Sequence, residues 1–278
     1  MRTIRWDVVG AALAEDVGPG DVTAETLFRP RDRARGVIFS RVRGVVAGVE
    51  TACEVFRRLD RRASIRVLLH DGAALSPGTR ILEIQATARA LLSGERTALN
   101  FLQRLSGIAT LSREFSRRGR GTTILDTRKT TPGLRALEKA AVAAGGASNH
   151  RLGLWDAAMV KDNHLHLLGK GADLRDLVAR LKRRGAKVTV EAKSAAEARR
   201  AVAAGADRVL LDNFRPAALA RLIPKLRALP RCPELELSGG ITLATVAAFA
   251  RLRPDFISVG ALTHSAPALD LSMDILPR

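Results

Sequence analysis

The sequence predicts an α/β protein in two parts: a small N-terminal α+β domain over residues 1–108, and a (β/α) barrel, incomplete, over residues 109–278. Two observations carry this. From residue 122 onward, short apolar runs alternate with Ala/Leu/Arg-rich stretches of helical spacing. Repeated strand–helix units of that size give parallel strands joined by right-handed crossovers. Before that point the texture changes often, with alternating runs bounded by Gly and Pro, as in a small mixed domain. A doubly wound open sheet is the alternative arrangement of the later units.

In chain order, a short amphipathic helix is expected near residues 4–15, followed by the loop signal of Gly18, Pro19 and Gly20 in "EDVGPGDVT". Strand-like runs follow around residues 36–49, 64–70 and 80–86, with a helical stretch "VETACEVFRRLD" after the first. Leu91, Leu92, Leu99, Leu102, Leu105 and Ile108 keep near-helical spacing, and Gly94 and Gly107 are expected to break that helix into pieces. The domain boundary is placed within it, near residue 108. The second part holds six strand-like runs: "TTILDT" (122–127), "AAMVKD" (157–162), "KVTVEA" (187–192), "RVLLDN" (208–213), "ELELSG" (234–239) and "FISVGA" (256–261). All are short and apolar, as suits strands covered on both faces. Ser194 with Glu197 three residues on predicts a capping box for the helix "SAAEARRAVAAGA".

Composition sets limits on function. Apolar residues are 46% and charged residues 27%, which excludes a disordered chain. Two cysteines, Cys53 and Cys232, exclude a disulfide framework and a four-thiolate zinc site. The net charge of +18 fits nucleic acid, an anionic surface or small polyanionic substrates, and equally an Arg bias with no partner. With no Tyr, two Trp and eight Phe, the stacking platforms of single-strand binders are missing, which argues against nucleic acid. Asp7 interrupts the apolar start, so no secretion signal is read, and no run suits a membrane span; a cytoplasmic protein is expected.

The chemistry lies at the ends of the predicted strands. The first ends in Asp126, Arg128 and Lys129, and the second in Lys161, Asp162, Asn163 and His164. The third ends in Glu191 and Lys193, the fourth in Asp212 and Asn213, the fifth in Ser238, Gly239 and Gly240, the sixth in Gly260. Barrel active sites form at the carboxyl ends of strands, so these groups are expected in one ring. The glycine ends, each followed by an expected helix, predict a phosphate site of backbone amides. Arg128, Lys129 and Lys161 are its counter-charges. Glu191 and Asp212 suit Mg²⁺ or sugar hydroxyls. His150 and Arg151 in "NHRLGL" read either as site residues or as a loop cap, and "GKGAD" reads as a turn. "HLH" (164–166) has too few other histidines around it for a His-rich metal centre, and neither cysteine has a His nearby in sequence to activate it.

The segments "ERTALNFLQRLSGIAT", "DTRKTTPGLRALEKAAVAAGGASNHRLGLWDAAMVKDNH", "VLLDNF" and "SGGI", in this order, resemble the quinolinate phosphoribosyltransferase family. "EDVGPGDVT" and "SVGALTHSAPALDLSMDI" extend the resemblance over essentially the whole chain. It implies a type II phosphoribosyltransferase-like fold, with an incomplete seven-stranded barrel and last residues that can pack back on the N-terminal domain. It also implies a homodimer with shared active sites. The implied reaction joins quinolinate to phosphoribosyl pyrophosphate, with decarboxylation, giving nicotinate mononucleotide, pyrophosphate and CO₂ for NAD biosynthesis. By motif, Arg96 would reach quinolinate from the neighbouring subunit, and Arg128, His150 and Arg151 would hold its carboxylates. Lys129 and Lys161 would face the phosphoribosyl pyrophosphate and the reacting region. Glu191 and Asp212 would bind ribose hydroxyls and Mg²⁺, and Ser238, Gly239, Gly240 and Gly260 the 5-phosphate. Thr189 and Leu237 depart from the family's usual Glu and small residue. A molybdenum-associated paralogue shares the fold but tends to lose the Lys-Asp-Asn-His block kept here at 161–164.

Overall fold

The structure, a computed structural model, describes residues 7–169 and 171–277. The expected helix start at residues 4–6 and Lys170 of "GKGAD" lie outside the described residues. Asp7 caps α1 (Val8–Asp16), its carboxylate accepting from Gly10 N, and Asp21 caps α2 (Val22–Leu27) through Ala24 N. Then come β1 (Arg33–Ser40), β2 (Gly44–Val45), α3 (Val49–Leu59), β3 (Ser64–Val67), β4 (Ala74–Leu75) and β5 (Arg80–Thr87). The run expected over 36–49 stops at Ser40. There the hydroxyl donates to Val42 O and accepts from Val42 N, so the local turn competes with the ladder.

The helix α4 (Ala88–Arg118) is continuous over 31 residues, against the expected breaks at Gly94 and Gly107. Both glycines serve close packing instead. A Cβ on Gly107 would stand 1.9 Å from Pro267 O, and one on Gly94 would stand 2.9 Å from Leu59 Cδ1. A mid-helix glycine costs about 1 kcal/mol against alanine; here the close approach offsets that cost.

After α4 follow β6 (Thr123–Leu125), α5 (Arg135–Ala144), β7 (Ala158–Val160), α6 (Asp162–Leu168), α7 (Leu174–Arg183) and β8 (Val188–Ala192). The chain continues with α8 (Ala195–Ala203), β9 (Arg208–Asp212), α9 (Pro216–Arg227), β10 (Glu234–Ser238) and α10 (Val246–Ala250). It ends with β11 (Phe256–Ser258), α11 (Ala261–His264) and β12 (Leu271–Pro277). Ser194 accepts from Glu197 N as the capping box requires, while Glu197 reaches back to Lys193 N, one residue further out. Among the described residues no helix is long and apolar enough to cross a membrane.

The chain forms two compact units. One takes the chain up to Arg113, Thr130–Gly146 and the chain from Thr263 on; the other takes Glu114–Lys129 and Ala147–Leu262. In the first, an antiparallel sheet of order β12-β1-β5-β3 buries Ile38, Leu82 and Ile84 in one core with Cys53 and Phe56 of α3 and Leu91 and Leu102 of α4. Each such side chain, fully buried, contributes about 1.5–3 kcal/mol.

The second unit holds a parallel sheet of order β6-β11-β10-β9-β8-β7. Strands consecutive in the chain are neighbours from β7 to β11, and the first strand, β6, pairs with the last, β11. A doubly wound sheet would reverse direction at a switch point. This cyclic order is that of a barrel, interrupted between β6 and β7. Part of the gap is taken by a single parallel bridge from Leu125 to Ser148, a strand position too short to show in the sequence pattern.

Candidate active site

The ladder registers bring the strand ends level. Leu125 pairs with Ser258, Ile257 with Leu237, Ser238 with Asp212, Leu211 with Ala192, and Val190 with Val160. Arg128, Lys129, Lys161, Glu191, Asp212, Ser238, Gly239, Gly240 and Gly260 therefore lie at or just past one edge of one sheet. Arg96 is an exposed residue of α4 in the first unit.

At the β7–β9 part of the edge, Lys161 Nζ meets Glu191 Oε2 at 2.6 Å. Lys193 pairs with Asp162, and Asp212 Oδ2 accepts from Asn213 Nδ2 at 2.8 Å. The Asp162 carboxylate pushes the Lys193 ammonium up from its ordinary value, and the charges of Glu191 and Asp212 add to this. The lysines and acids of successive strands thus share one field. His164 of the "HLH" segment acts locally, its Nδ1 accepting from Lys161 N at 3.0 Å at the start of α6.

The other part of the edge is cationic. Arg151 donates through Nη1 to Ala157 O at 2.9 Å. Burial first, then the positive charge of Arg128, pushes its guanidinium below the ordinary arginine range, against the pull of Asp156. Arg128 Nε is buried and has no hydrogen-bond partner among the described residues. Two guanidiniums held close, one with an unspent buried donor, form a site built for an anion. Lys129 is exposed, its backbone N–H donating to Thr127 Oγ1. His150, which the sequence left open, is hydrogen-bonded to the protein at its backbone N–H and at Nδ1, and its Nε2 faces Glu236. Its N–H donates to the fully buried Asp126 at 2.7 Å, its Nδ1 accepts from Arg151 N at 2.7 Å, and its Nε2 lies 3.4 Å from Glu236 Oε1.

Past β10, Gly239 and Gly240 take φ of +99° and +62°. A Cβ on Gly239 would fall 2.2 Å from Asn213 Oδ1, whereas Gly240 faces open space. Such a turn leaves backbone amides exposed beside Ser238, as an anion site needs. The expected helix opening at "GGIT" is displaced: α10 starts only at Val246. Thr245 Oγ1 accepts from Thr242 N at 2.9 Å and makes a turn there instead. With α10 five residues long and α11 four, helix dipoles add little, and the phosphate reading rests on the glycine backbone.

The barrel interior holds functional groups that the strand-end pattern does not reveal. Glu236 is fully buried and bonds Arg208 Nη1 at 3.1 Å; Arg208 also holds Glu234 at 3.1 Å and stacks on Phe256, 3.8 Å from the ring centre. Burial opposes the charged form of Glu236, yet His150, Ser258 and Arg208 together hold its carboxyl below the ordinary range. The signal was in "ELELS", where period two puts Glu234, Glu236 and Ser238 on one strand face. Thr189 pairs in register with Arg208, and Leu237 is buried between Leu211 and Ile257 in the ladder.

Among the described residues no group of three His, Cys, Asp or Glu side chains could hold a metal alone. Two carboxylates on adjacent strands, Glu191 and Asp212, do fit Mg²⁺. That ion commonly takes one or two carboxylates, the rest coming from substrate phosphates and water.

Such a barrel, with paired arginines, lysine–carboxylate contacts and a glycine turn at its strand ends, defines an enzyme acting on anionic, phosphorylated small molecules. Comparison with known proteins is specific. Residues 21–106 and 108–274 match the N-terminal and C-terminal domains of quinolinate phosphoribosyl transferase. A probable nicotinate-nucleotide pyrophosphorylase [carboxylating] of Bacillus subtilis is 42% identical over 94% of this chain and 90% of that protein. The quinolinate phosphoribosyltransferase [decarboxylating] 1b of Nicotiana tabacum is 34% identical over 96% of this chain and 81% of its own length. The crystal structure of NadC from Streptococcus pyogenes superposes with a TM-score of 0.90 at 37% identity, covering 98% of this chain and 96% of that one. The chain belongs to the quinolinate phosphoribosyl transferase family and is a phosphoribosyltransferase.

Proposed function

We propose that this enzyme transfers the phosphoribosyl group of phosphoribosyl pyrophosphate to quinolinate, giving nicotinate mononucleotide, pyrophosphate and CO₂. The observation that carries the reading is the Arg128–Arg151 pair, with a buried donor that meets no acceptor among the described residues. Two adjacent carboxylates on a pyridine ring match two guanidiniums in number, charge and planarity. The ring nitrogen attacks C1 of the ribose, the C1–O bond to pyrophosphate breaks, and pyrophosphate leaves with that electron pair. The C2–carboxylate bond then breaks. Its electron pair stays on C2 beside the cationic ring nitrogen until a proton from solvent replaces the CO₂ released.

Lys161, held by Glu191, serves as the cation that stabilises charge growing on the leaving group. Ser238, Gly239, Gly240 and Gly260 serve the 5-phosphate through backbone and hydroxyl groups. Glu191 and Asp212 would hold Mg²⁺, which when bound neutralises pyrophosphate oxygens. Both substrates are polyanions, and a net charge of +18 raises their encounter rate, more so at low salt. A homodimer, with Arg96 of one subunit serving the other's site, and a cytoplasmic location complete the reading.

The test is turnover of quinolinate and phosphoribosyl pyrophosphate, followed by release of CO₂ and pyrophosphate, with and without Mg²⁺. Activity with nicotinate but not quinolinate, or no pyrophosphate release, overturns the assignment. Mixing inactive Arg96→Ala and Lys161→Ala subunits restores partial activity if sites are shared; no recovery in subunits shown to exchange refutes sharing.

A further inference from the structure

We infer that Glu236, on β10 inside the barrel, is a positioning residue for the dicarboxylate site: it orients His150, and His150 fixes the backbone that carries the Arg151 guanidinium. The inference rests on the quinolinate reading for its substrate, and on this chain's own contacts for its geometry. His150 Nδ1 accepts the Arg151 backbone N–H at 2.7 Å, so that nitrogen carries no proton. In the neutral ring the proton then sits on Nε2, which lies 3.4 Å from Glu236 Oε1. This is a contact of charge with N–H dipole, set by distance more than by alignment. The other carboxylate oxygen of Glu236 is taken by Arg208 Nη1 at 3.1 Å, and Arg208 is anchored in turn by Glu234 and the Phe256 ring.

The chain Arg208–Glu236–His150–Arg151 runs from the barrel interior to the strand ends. Asp126 pins the same loop from β6 by accepting His150 N–H. Both imidazole nitrogens face the protein. The geometry therefore moves His150 from a direct carboxylate ligand to the link between a buried anion and an arginine. An ionised carboxylate here is acceptor-only, whereas an amide can also present an N–H; the carboxylate therefore favours the Nε2–H tautomer more strongly, which leaves Nδ1 free to accept.

The experiment compares wild type, Glu236→Gln, His150→Asn and the double variant. His150→Asn keeps an acceptor near the place of Nδ1 but cannot reach Glu236. Quinolinate affinity is read calorimetrically without phosphoribosyl pyrophosphate, and KM is read for both substrates. Glu236→Gln is expected to weaken quinolinate about tenfold or more while the KM of phosphoribosyl pyrophosphate stays within about threefold. The double variant should be no worse than about twofold beyond the poorer single one. A loss shared equally by both substrates indicates general damage and overturns the inference, as does quinolinate binding unchanged within about threefold. Nitrogen NMR of the His150 ring gives a readout that needs no substrate. A protonated Nδ1 in wild type, or the same tautomer balance in Glu236→Gln, refutes positioning even in an enzyme that turns over normally. Absent turnover with the expected tautomer and its shift in the variant refutes only the quinolinate reaction. If Glu236→Gln does not fold, the His150→Asn substrate split and the wild-type tautomer decide the question.

Discussion

Arg128→Ala separates a binding role from a structural one. Arg128 Nε is buried with no acceptor among the described residues, and burial together with the Arg128 charge disfavours the charged form of Arg151. Removing the side chain costs the fold no bond at Nε and relieves a like-charge contact. Stability should hold within about 0.5 kcal/mol or rise slightly, as for substitutions outside packed networks. The substrate complex loses much more. A guanidinium forked onto a carboxylate makes two charge-assisted bonds of about 1.5–3 kcal/mol each. Their loss, about 3–6 kcal/mol at 1.4 kcal/mol per decade, lowers kcat/KM for quinolinate by about 10²–10⁴. The assay pairs steady-state pyrophosphate release with urea unfolding of the same preparations. An enzyme within about threefold of wild type would refute the carboxylate role. A loss of activity with a fall in stability of about 2 kcal/mol or more would make Arg128 a structural residue instead.

Three further outcomes follow from contacts already described or adjoining them. In the first unit, the fully buried Glu138 accepts from Arg104 Nη2 at 2.8 Å and from Thr131 N and Oγ1. Arg104→Ala should cost about 3 kcal/mol in denaturant unfolding, because it strands a buried carboxylate, and a cost under about 1 kcal/mol would contradict this. Gly239→Ala must hold a left-handed backbone against Asn213 and should lower stability by about 2–4 kcal/mol and raise the KM of phosphoribosyl pyrophosphate; Gly240→Ala, facing open space, should cost only about 1 kcal/mol. Equal melting temperatures for the two would refute the distinction. Burial raises the Asp207 carboxyl, but Lys182 Nζ at 2.6 Å and Val188 N at 2.8 Å outweigh it and hold it below 3.8. Its contribution is present above that ordinary value and is lost as pH falls through the lower folded value. Asp207→Asn should therefore flatten the fall of urea midpoints between about pH 5 and pH 3. An unchanged slope would discard the assignment.

The six strands of the barrel were legible because each is a short apolar run ended by a charge or a glycine, and burial on both faces requires such runs. The shared edge was legible for a related reason: once the strands are parallel, equal phase along each run brings Asp212 beside Ser238. Features that depend on partners distant in sequence were not legible. Gly94 and Gly107 look like breakers until Leu59 and Pro267 stand against them. The "GGIT" helix fails because two threonines find each other first. The Ser148 strand position has one bridge and so no period. The Arg208–Glu236 pair is hidden because a buried charge is recognisable only beside its counter-charge, although Glu234 and Glu236 in alternation within an apolar run marked the face.

The return of β12 to pair with β1 also matters to how the protein is made. Leu271–Pro277 closes a sheet whose other strands are complete by Thr87. Until β12 has been made and docked, the outer rim of β1 offers unsatisfied amides and carbonyls to any extended polypeptide nearby. That interval spans the synthesis of the whole parallel sheet, which lies between β5 and β12 in the chain. A chain that lacks β12 would carry that sticky rim permanently.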